Sequence, residues 1–242
     1  QFTNTSTISS GSIKRNKWKF STVASDTLIQ LNANKKYPTE GNYLVYLYTK
    51  TNKGCNDTAS KQVVVNPQTV ISFTLNSDSQ CLKGNNYQFT NSSSISPGSI
   101  ATYKWEFGDA TTATTKDASK KYASEGTYSV QMSTVSNQGC KDTIIRKVAI
   151  NPQTKITFTL NSDSQCLKGN NFQTTNTSSV VTGSIVKYNW DLDNSKTSTN
   201  IAPSVSYASR GTYKIRLITT TNYGCLDTLI KPIGVWPQAI PS

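Results

Sequence analysis

A segment of about 85 residues is repeated along the chain. The residues Asn76–Asn86 recur unchanged as Asn161–Asn171, 85 positions later. The same shift separates Cys55 from Cys140, and Cys140 from Cys225. A period of this length is typical of self-contained domains in series, because solenoid repeats are shorter and depend on their neighbours.

The period divides the 242 residues into four segments. The expected units are 1–66, which lacks its first strand, 67–151 and 152–236, both complete, and 237–242, the start of a further repeat. The first unit has two extra residues, since Trp18 and Trp105 are 87 positions apart. Both ends of the sequence fall inside a repeat, so we expect a slice of a longer array.

Within each unit, apolar and polar residues alternate. In the second unit Tyr128, Val130 and Met132 are separated by Ser129 and Gln131. This period of two indicates half-buried strands. About seven short strands are expected in each unit, separated by Gly, Pro, Asn and Ser, and an antiparallel β-sandwich is the natural way to pack them.

The alternation also predicts which aromatic side chains are buried. We expect a set of Trp and Tyr side chains to form the cores rather than to stack on sugars: Trp18, Trp105, Trp190, Tyr43, Tyr128 and Tyr213. Tyr46 and Tyr48 have the opposite parity and should be exposed, where they are candidates for a contact patch. Trp236 falls at a junction, where it is a candidate for packing between units.

Composition argues against catalysis. The chain has no His, which removes Ser–His and Cys–His catalysis and His-bound zinc. Asp191 and Asp193 lie two residues apart, but a turn explains them better than acid–base chemistry. Together with Asp109 they are weak candidates for calcium, which needs six or more oxygen ligands. We therefore expect no enzyme, catalytic residue, bound metal or cofactor.

The charge is strongly basic. The formal net charge is +12, from 25 Lys and Arg against 13 Asp and Glu. The one dense basic group is Lys14, Arg15, Lys17 and Lys19, with no nucleic-acid-binding motif around it. We expect no nucleic-acid partner and consider an anionic polysaccharide a candidate partner. No apolar run approaches the roughly 18–20 residues of a membrane span.

Three motifs of the second unit resemble a known family. The stretches Trp105–Asp109, Lys121–Tyr122 and Glu125–Val130 resemble the signature of PKD (polycystic-kidney-disease) domains, which reads Trp-Asp-Phe-Gly-Asp-Gly, then Tyr, then Gly-Thr-Tyr-x-Val. Glu106 and Ala110 depart from it, and the first unit has no acidic turn. The resemblance spans the chain and implies immunoglobulin-like sandwiches arranged head to tail.

A stretch that contains a cysteine resembles one particular group of PKD-like repeats. The sequence Asn-Gln-Gly-Cys-Lys-Asp-Thr, at 137–143, is similar to the tandem units of giant secreted surface proteins of Bacteroidota. These include gliding-motility proteins and attachment adhesins. The resemblance implies a secreted protein at the cell surface.

The recurring cysteines indicate disulfides in a secreted chain. Within a unit, the candidate pairs are Cys81–Cys140 and Cys166–Cys225. Taken from the family, the strand order puts the two cysteine loops of one unit at opposite ends. That order favours Cys81–Cys225 between adjacent units, with Cys55 and Cys140 bonded to cysteines upstream of Gln1. The pairing rests on the resemblance, and both alternatives stay open.

An Asp-Thr-apolar motif recurs. It resembles the O-glycosylation acceptor of Bacteroidota secreted proteins, and the candidate acceptors are Thr27, Thr58, Thr143 and Thr228. The alternative is an Asp turn followed by a strand-forming Thr.

The leading interpretation is a non-catalytic structural and adhesive stalk. Its tandem units would act in surface attachment, gliding or filament formation. The expected partners are neighbouring repeats and copies of the chain in a filament. The alternative, also implied by the resemblance, is an accessory module that engages the substrate of a secreted protease or polysaccharide hydrolase.

Overall fold

The protein is built from β-strands. The computed structural model describes residues 1–21 and 25–239, and in those ranges every regular element is a strand. No helix in the described part is long and apolar enough to cross a membrane. The strands fall into three repeats along the chain.

Repeat 2 is a two-sheet sandwich. Its strands are β5 (Phe73–Leu75), β6 (Ser79–Cys81), β7 (Tyr87–Asn91), β8 (Ile100–Glu106), β9 (Thr112–Ala113), β10 (Ala118–Lys120), β11 (Gly126–Ser136) and β12 (Lys141–Asn151). One sheet has the order β10-β7-β5, and the other has the order β6-β12-β11-β8-β9. All pairs are antiparallel except β6 with β12, which is parallel.

Repeat 3 reproduces this arrangement. Its strands are β13 (Phe158–Leu160), β14 (Ser164–Cys166), β15 (Phe172–Asn176), β16 (Ile185–Asp191), β17 (Thr197–Ser198), β18 (Ser204–Val205), β19 (Gly211–Thr221) and β20 (Leu226–Trp236). The sheet orders are β13-β15-β18 and β14-β20-β19-β16-β17. The sheets of repeats 2 and 3 therefore have equivalent strands in equivalent positions.

Repeat 1 has one four-stranded sheet. Its strands are β1 (Ile13–Lys19), β2 (Thr27–Leu28), β3 (Gly41–Thr51) and β4 (Asn56–Val65), in the order β2-β1-β3-β4. An isolated bridge between Phe2 and Ala33 adds the only pairing described outside these strands in this repeat. The sheet corresponds to the larger sheet of repeats 2 and 3.

Each repeat has its own apolar core. Trp18, Trp105 and Trp190 are 6%, 0% and 2% exposed and lie in three separate clusters of buried side chains. Around Trp105 the alternating residues Val130 and Met132 are fully buried. Burial of such apolar side chains is the main source of folding free energy, so each repeat carries its own stabilising interior.

The tyrosines of the Gly-x-Tyr motif are half-buried at the rim of the cores, which corrects the expectation that Tyr43, Tyr128 and Tyr213 are core residues. In repeat 2 the ring of Tyr128 stacks on Tyr122 with centroids 3.9 Å apart, and its hydroxyl donates to the carbonyl of Ser124. The hydroxyl needs a polar partner, which keeps this end of the side chain near solvent. The tyrosines in the interior of repeat 2 are Tyr87 and Tyr122, 0% and 3% exposed.

Candidate functional site

The position of Cys81 follows from the register of β6 on β12. Cys81 lies opposite Asn151, the residue at which β12 ends. Cys140 immediately precedes Lys141, at the other end of this strand. An 11-residue strand is roughly 35 Å long, whereas bonded cysteines need Cα atoms within about 7 Å. The two cysteines of repeat 2 are therefore too far apart to bond.

A disulfide joins Cys81 of repeat 2 to Cys225 of repeat 3. The Cα atoms are 5.5 Å apart, and Cys225 is 1% exposed. Cys225 lies in the turn between β19 and β20, where its N–H donates to the Thr221 hydroxyl and its carbonyl accepts from the Thr221 N–H. The bond thus connects the end of repeat 2 to the beginning of repeat 3, and the within-repeat pairs Cys81–Cys140 and Cys166–Cys225 are not formed.

An ion pair lies beside the disulfide. The Lys83 ammonium is 3.0 Å from Asp227 Oδ1, also between repeats 2 and 3. The lysine side chain is 66% exposed, so water and salt screen the attraction. The pair contributes orientation at the junction more than stability.

Three thiols are free: Cys55, Cys140 and Cys166. Cys55 and Cys140 occupy the same turn of their repeats as Cys225 does in repeat 3. Cys166 lies opposite Trp236, as Cys81 lies opposite Asn151. The bonding of Cys55 and Cys140 to cysteines upstream of Gln1 stays a prediction.

A buried asparagine holds the loop that follows Cys81. Asn85 donates from Nδ2 to the carbonyls of Leu82 and Tyr122 at 2.7 and 2.9 Å, and its Oδ1 accepts from the Tyr122 N–H at 2.7 Å. Asn170 makes the same contacts in repeat 3. Sequence reasoning missed this role, although the unchanged Asn pair in the repeated segment carried the signal.

Asp109, a weak calcium candidate, forms an ion pair with a lysine. Lys120 Nζ lies 2.6 Å from Asp109 Oδ2 and over the rings of Phe107 and Tyr122. Partial burial tends to raise the pKa of Asp109, but hydrogen bonds from Lys120 and Thr111 lower it more, so the net pKa lies below its usual value. The ammonium of Lys120 supplies the positive charge at this turn.

The candidates Asp191 and Asp193 are also paired within the protein. Arg216 binds Asp191 Oδ2 at 2.7 Å, and Asp193 accepts the N–H groups of Lys214 and Asn194. These backbone hydrogen bonds lower the pKa of Asp193, and the one from Lys214 has the larger effect. Across the described part of the chain, no three His, Cys, Asp or Glu side chains converge as metal ligands would. These carboxylates serve as turn acceptors.

The four threonines of the Asp-Thr motif differ in exposure. Thr58, Thr143 and Thr228 are exposed at the start of the last strand of their repeats, and Thr27 is half-buried opposite Lys19. Asp57 and Asp227 accept the N–H of the following threonine at 2.7 and 2.9 Å. The aspartates therefore act as local turn acceptors, while three of the threonines reach solvent.

The remaining aromatic candidates lie at the surface. Tyr46 is half-buried and Tyr48 is 37% exposed, both on the outer face of the repeat 1 sheet. Trp236 is 59% exposed at the end of β20. It lies opposite Cys166, and its packing between units stays a prediction.

These features place the protein in the class of tandem β-sandwich proteins, with two adjacent sandwiches joined by a disulfide. The family model for the PKD domain matches residues 70–150 and 154–232, which is more than half of the chain. The chain therefore belongs to the PKD domain family. PKD domains are commonly non-catalytic extracellular modules, in proteases among other proteins, and the disulfide agrees with extracellular exposure.

Solved structures with similar folds include domains from several sources. The PKD1 domain of Vibrio anguillarum Epp is 24% identical with a TM-score of 0.32, over 36% of this chain and 96% of that one. The PKD1 domain of the Vibrio cholerae metalloprotease PrtV is 28% identical with a TM-score of 0.31, over 36% and 98%. Sidekick-1 immunoglobulin domains 1–4 are 11% identical with a TM-score of 0.36, over 99% and 71%. A search of curated proteins gave no match.

Proposed function

We propose that the chain is a non-catalytic stalk segment of a long Bacteroidota-type secreted surface protein that acts in attachment, gliding or filament formation. The observation that carries the proposal is the disulfide between Cys81 and Cys225. It adds a second covalent connection to the peptide linker at the same junction. A segment that sets distance and direction needs such a restraint, whereas a flexible tether does not.

The mechanism is spacing and stiffness. Each sandwich has strands of up to 11 residues, so each repeat adds on the order of 35–40 Å. With Lys83 paired to Asp227 beside the sulfur bridge, repeat 3 is held at three points of its junction with repeat 2. Serial repeats joined in this way form a semi-rigid rod, which carries whatever lies at its tip away from the cell.

Residual dipolar couplings of the isotope-labelled full chain test this stiffness. In the disulfide-bonded protein, we expect the amides of repeats 2 and 3 to fit a single alignment tensor. In the double variant Cys81→Ser, Cys225→Ser they should require two tensors, because the peptide linker alone permits reorientation. The variant Cys55→Ser is the control, since Cys55 is exposed and unbonded. Two independent tensors in the bonded protein would contradict the proposal.

The parent reading frame separates the stalk from the accessory-module alternative. Further 85-residue units around this segment support the stalk. A neighbouring catalytic domain of a protease or polysaccharide hydrolase would support the accessory role instead. Electron microscopy of the native particle then shows whether single rods or bundled filaments are present.

We also propose that the recurring threonines carry O-linked glycans in the secreted protein. The exposure of Thr58, Thr143 and Thr228 at equivalent positions supports this. The intact mass of the secreted chain should exceed the polypeptide mass, and each Thr→Ala substitution should remove one increment. Thr27, which is half-buried, should be modified least. A mass equal to that of the bare polypeptide would contradict the proposal, and the Asp-Thr motif would then serve only as a turn.

A further inference from the structure

The outer face of the repeat 1 sheet combines cations with tyrosines. The strand register places Lys19 opposite Tyr46, Lys17 opposite Tyr48 and Arg15 opposite Lys50. Directly opposed residues project from the same face of a sheet, and alternate residues of a strand share it. We call this set the basic tyrosine face: Arg15, Lys17, Lys19, Tyr46, Tyr48 and Lys50.

The cations of the basic tyrosine face are not neutralised. In the described ranges 1–21 and 25–239, none of its four basic side chains forms an ion pair. The adjacent strand β4 adds uncharged residues to the same face, with Ser60 opposite Tyr46 and Thr58 opposite Tyr48. Two acids of repeat 1 do not neutralise it: Asp57 is on the opposite parity of β4, and Asp26 is bound to Lys35. The face therefore has a uniform positive charge.

The same positions in repeat 2 are electrically balanced. There Glu106 replaces Lys19, and it accepts from Lys104 at 2.6 Å and from Gln131 at 2.7 Å. Gln131 and Ser133 stand where repeat 1 has the two tyrosines. The fold therefore does not require the cations or the tyrosines of repeat 1, since a sister repeat forms the same sheet without them.

Repeat 3 also pairs the charges at the positions of Lys19 and Tyr46. Arg216 and Ile218 stand at the tyrosine positions, and Arg216 is paired with Asp191 at 2.7 Å. Of the three described sheet faces, the one on repeat 1 alone combines stacked tyrosines with four unpaired cations at these positions, whereas repeat 3 has one such cation, Lys187 at the position of Arg15. A difference at equivalent positions points to a binding role rather than a role in strand pairing, because the corresponding strands pair in the same order in all three sheets.

The two tyrosine rings form a platform. The centroids of Tyr46 and Tyr48 are 6.0 Å apart with an interplanar angle of 23°, so the rings lie nearly parallel. Aromatic rings with a polar hydroxyl suit ligands that have both apolar and hydrated parts, and the C–H face of a sugar ring is of this kind. The cations beside the platform, Lys17 and Lys19 on β1 and Lys50 farther along β3, then suit carboxylate or sulfate groups.

We propose that the basic tyrosine face binds an anionic polysaccharide, with sugar rings on Tyr46 and Tyr48 and acidic groups on the surrounding Arg and Lys side chains. Charge complementarity selects the polyanion, and the tyrosine platform selects a sugar polymer among polyanions. The extracellular character of PKD domains places this face where such polymers occur. The site goes beyond the stalk role, because a rod without it would be equally stiff.

The test replaces the face of repeat 1 with that of repeat 2. A charge variant carries Arg15→Thr and Lys19→Glu, and an aromatic variant carries Tyr46→Gln and Tyr48→Ser, all residues that repeat 2 has in the same register. The control carries Lys116→Thr and Lys121→Glu, which make the same charge change at exposed positions of repeat 2. Binding of the full chain, with an intact mass that shows bare polypeptide, is measured by affinity electrophoresis in alginate, in neutral dextran and against duplex DNA.

We expect binding to alginate that falls with salt, and no binding to dextran. Each face variant should weaken alginate binding by about tenfold or more, whereas the control should stay within about twofold of the parent. Equal loss in the control and the charge variant would reduce the effect to net charge and overturn the proposal. An unchanged aromatic variant, or tighter binding to DNA than to alginate, would also overturn it. Amide spectra that match the parent outside the face show that each variant is folded.

Discussion

Tyr122 illustrates how single side chains hold the sandwich together. Its ring lies in the core, and its hydroxyl donates to the carbonyl of Phe107 at 2.8 Å across the two sheets. Tyr207 makes the equivalent bond to Leu192 in repeat 3. A buried carbonyl without a donor costs more than the net value of a hydrogen bond, so this hydroxyl is a structural requirement.

Tyr122→Phe should therefore destabilise repeat 2 by about 1–2 kcal/mol, since it leaves the Phe107 carbonyl without its donor. The matched control is Tyr128→Phe, whose hydroxyl bonds to Ser124 in an exposed setting and whose loss should cost about 0.5 kcal/mol or less. Native-state amide exchange in β11 measures both. Equal costs for the two substitutions would contradict the role given to Tyr122.

Alkaline pH should destabilise repeat 3 through Tyr207. Burial, with a smaller effect of nearby Asp193, raises the pKa of Tyr207 to about 12. The unfolded value is about 10, so the folded state binds the proton more tightly, and this stability is complete below pH 10 and lost as pH rises toward 12. As the pH is raised from 8 to 11, the unfolding free energy of repeat 3 should decrease by about 1 kcal/mol, which lowers its urea midpoint.

Tyr207→Phe separates this ionisation from other alkaline effects. The variant should be less stable at pH 8, because the Leu192 carbonyl loses its donor, but its midpoint should depend less on pH. Tyr122 is present in both proteins and cancels from the comparison. A variant with the full pH dependence of the parent would show that Tyr207 is not the titrating group.

At the residue scale, alternation located the buried tryptophans but not the limit of the core. Tyr128 shares the inward face with Val130, yet it lies at the rim because its hydroxyl reaches Ser124. The pairing of Lys120 with Asp109 was missed, because Lys120 ends β10 and Asp109 lies in the turn between β8 and β9, and only the folded sandwich brings them together. Patterns show which face a residue occupies, and partners depend on tertiary geometry.

At the scale of elements, the turn between β8 and β9 depends on a glycine. Gly108 has φ +82°, and a Cβ there would lie 2.9 Å from the carbonyl oxygen of Ser129. Gly84 has nearly the same φ of +80°, with no atom within 4 Å of its Cβ position. The two glycines therefore separate the cost of backbone conformation from the cost of a clash.

Gly84→Ala should cost about 1 kcal/mol, the ordinary penalty of a left-handed residue. Gly108→Ala should cost at least about 1 kcal/mol more, because β11 must move away from the new methyl group. Urea unfolding of the two variants, followed by amide signals of repeat 2, gives the difference. Similar midpoints would mean that the turn relaxes without disturbing β11.

The long strands could be predicted, and the three-residue strand β6 could not. β11 and β19 each alternate over 11 residues, which gives a clear period of two. β6 has three residues and pairs in parallel with the end of β12. Three residues carry no period, so their pairing depends on the rest of the sandwich. That pairing nevertheless sets the position of Cys81, and with it the junction.

At the scale of the whole molecule, the sulfur connectivity can be mapped directly. Alkylation of the unreduced protein should label Cys55, Cys140 and Cys166 and leave Cys81 and Cys225 unlabelled. Proteolysis without reduction should then give one linked peptide that contains Cys81 and Cys225. A peptide that links Cys81 to Cys140 would require a different strand arrangement, because β12 separates these two residues.

The spacing of the cysteines left two connectivities open. Within-repeat and between-repeat pairs recur with the same period, so sequence alone does not distinguish them. The register of β6 on β12 distinguishes the two connectivities. It places Cys81 at the end of the sandwich that faces repeat 3, beside Asn151, and Cys140 at the opposite end of the sandwich. The strand order of the PKD family predicts the between-repeat pair, and the Cα atoms of Cys81 and Cys225 lie 5.5 Å apart.

The disulfide also determines how the protein responds when its ends are pulled apart. Cys81 and Cys225 are 144 positions apart, so tension passes through the two sulfurs and bypasses the polypeptide between them. At full extension that polypeptide would contribute roughly 500 Å, and the sulfur bridge withholds this length even if both sandwiches unravel. The stretch between Cys81 and Cys225 is thus nearly inextensible under load until a reductant cleaves the bond.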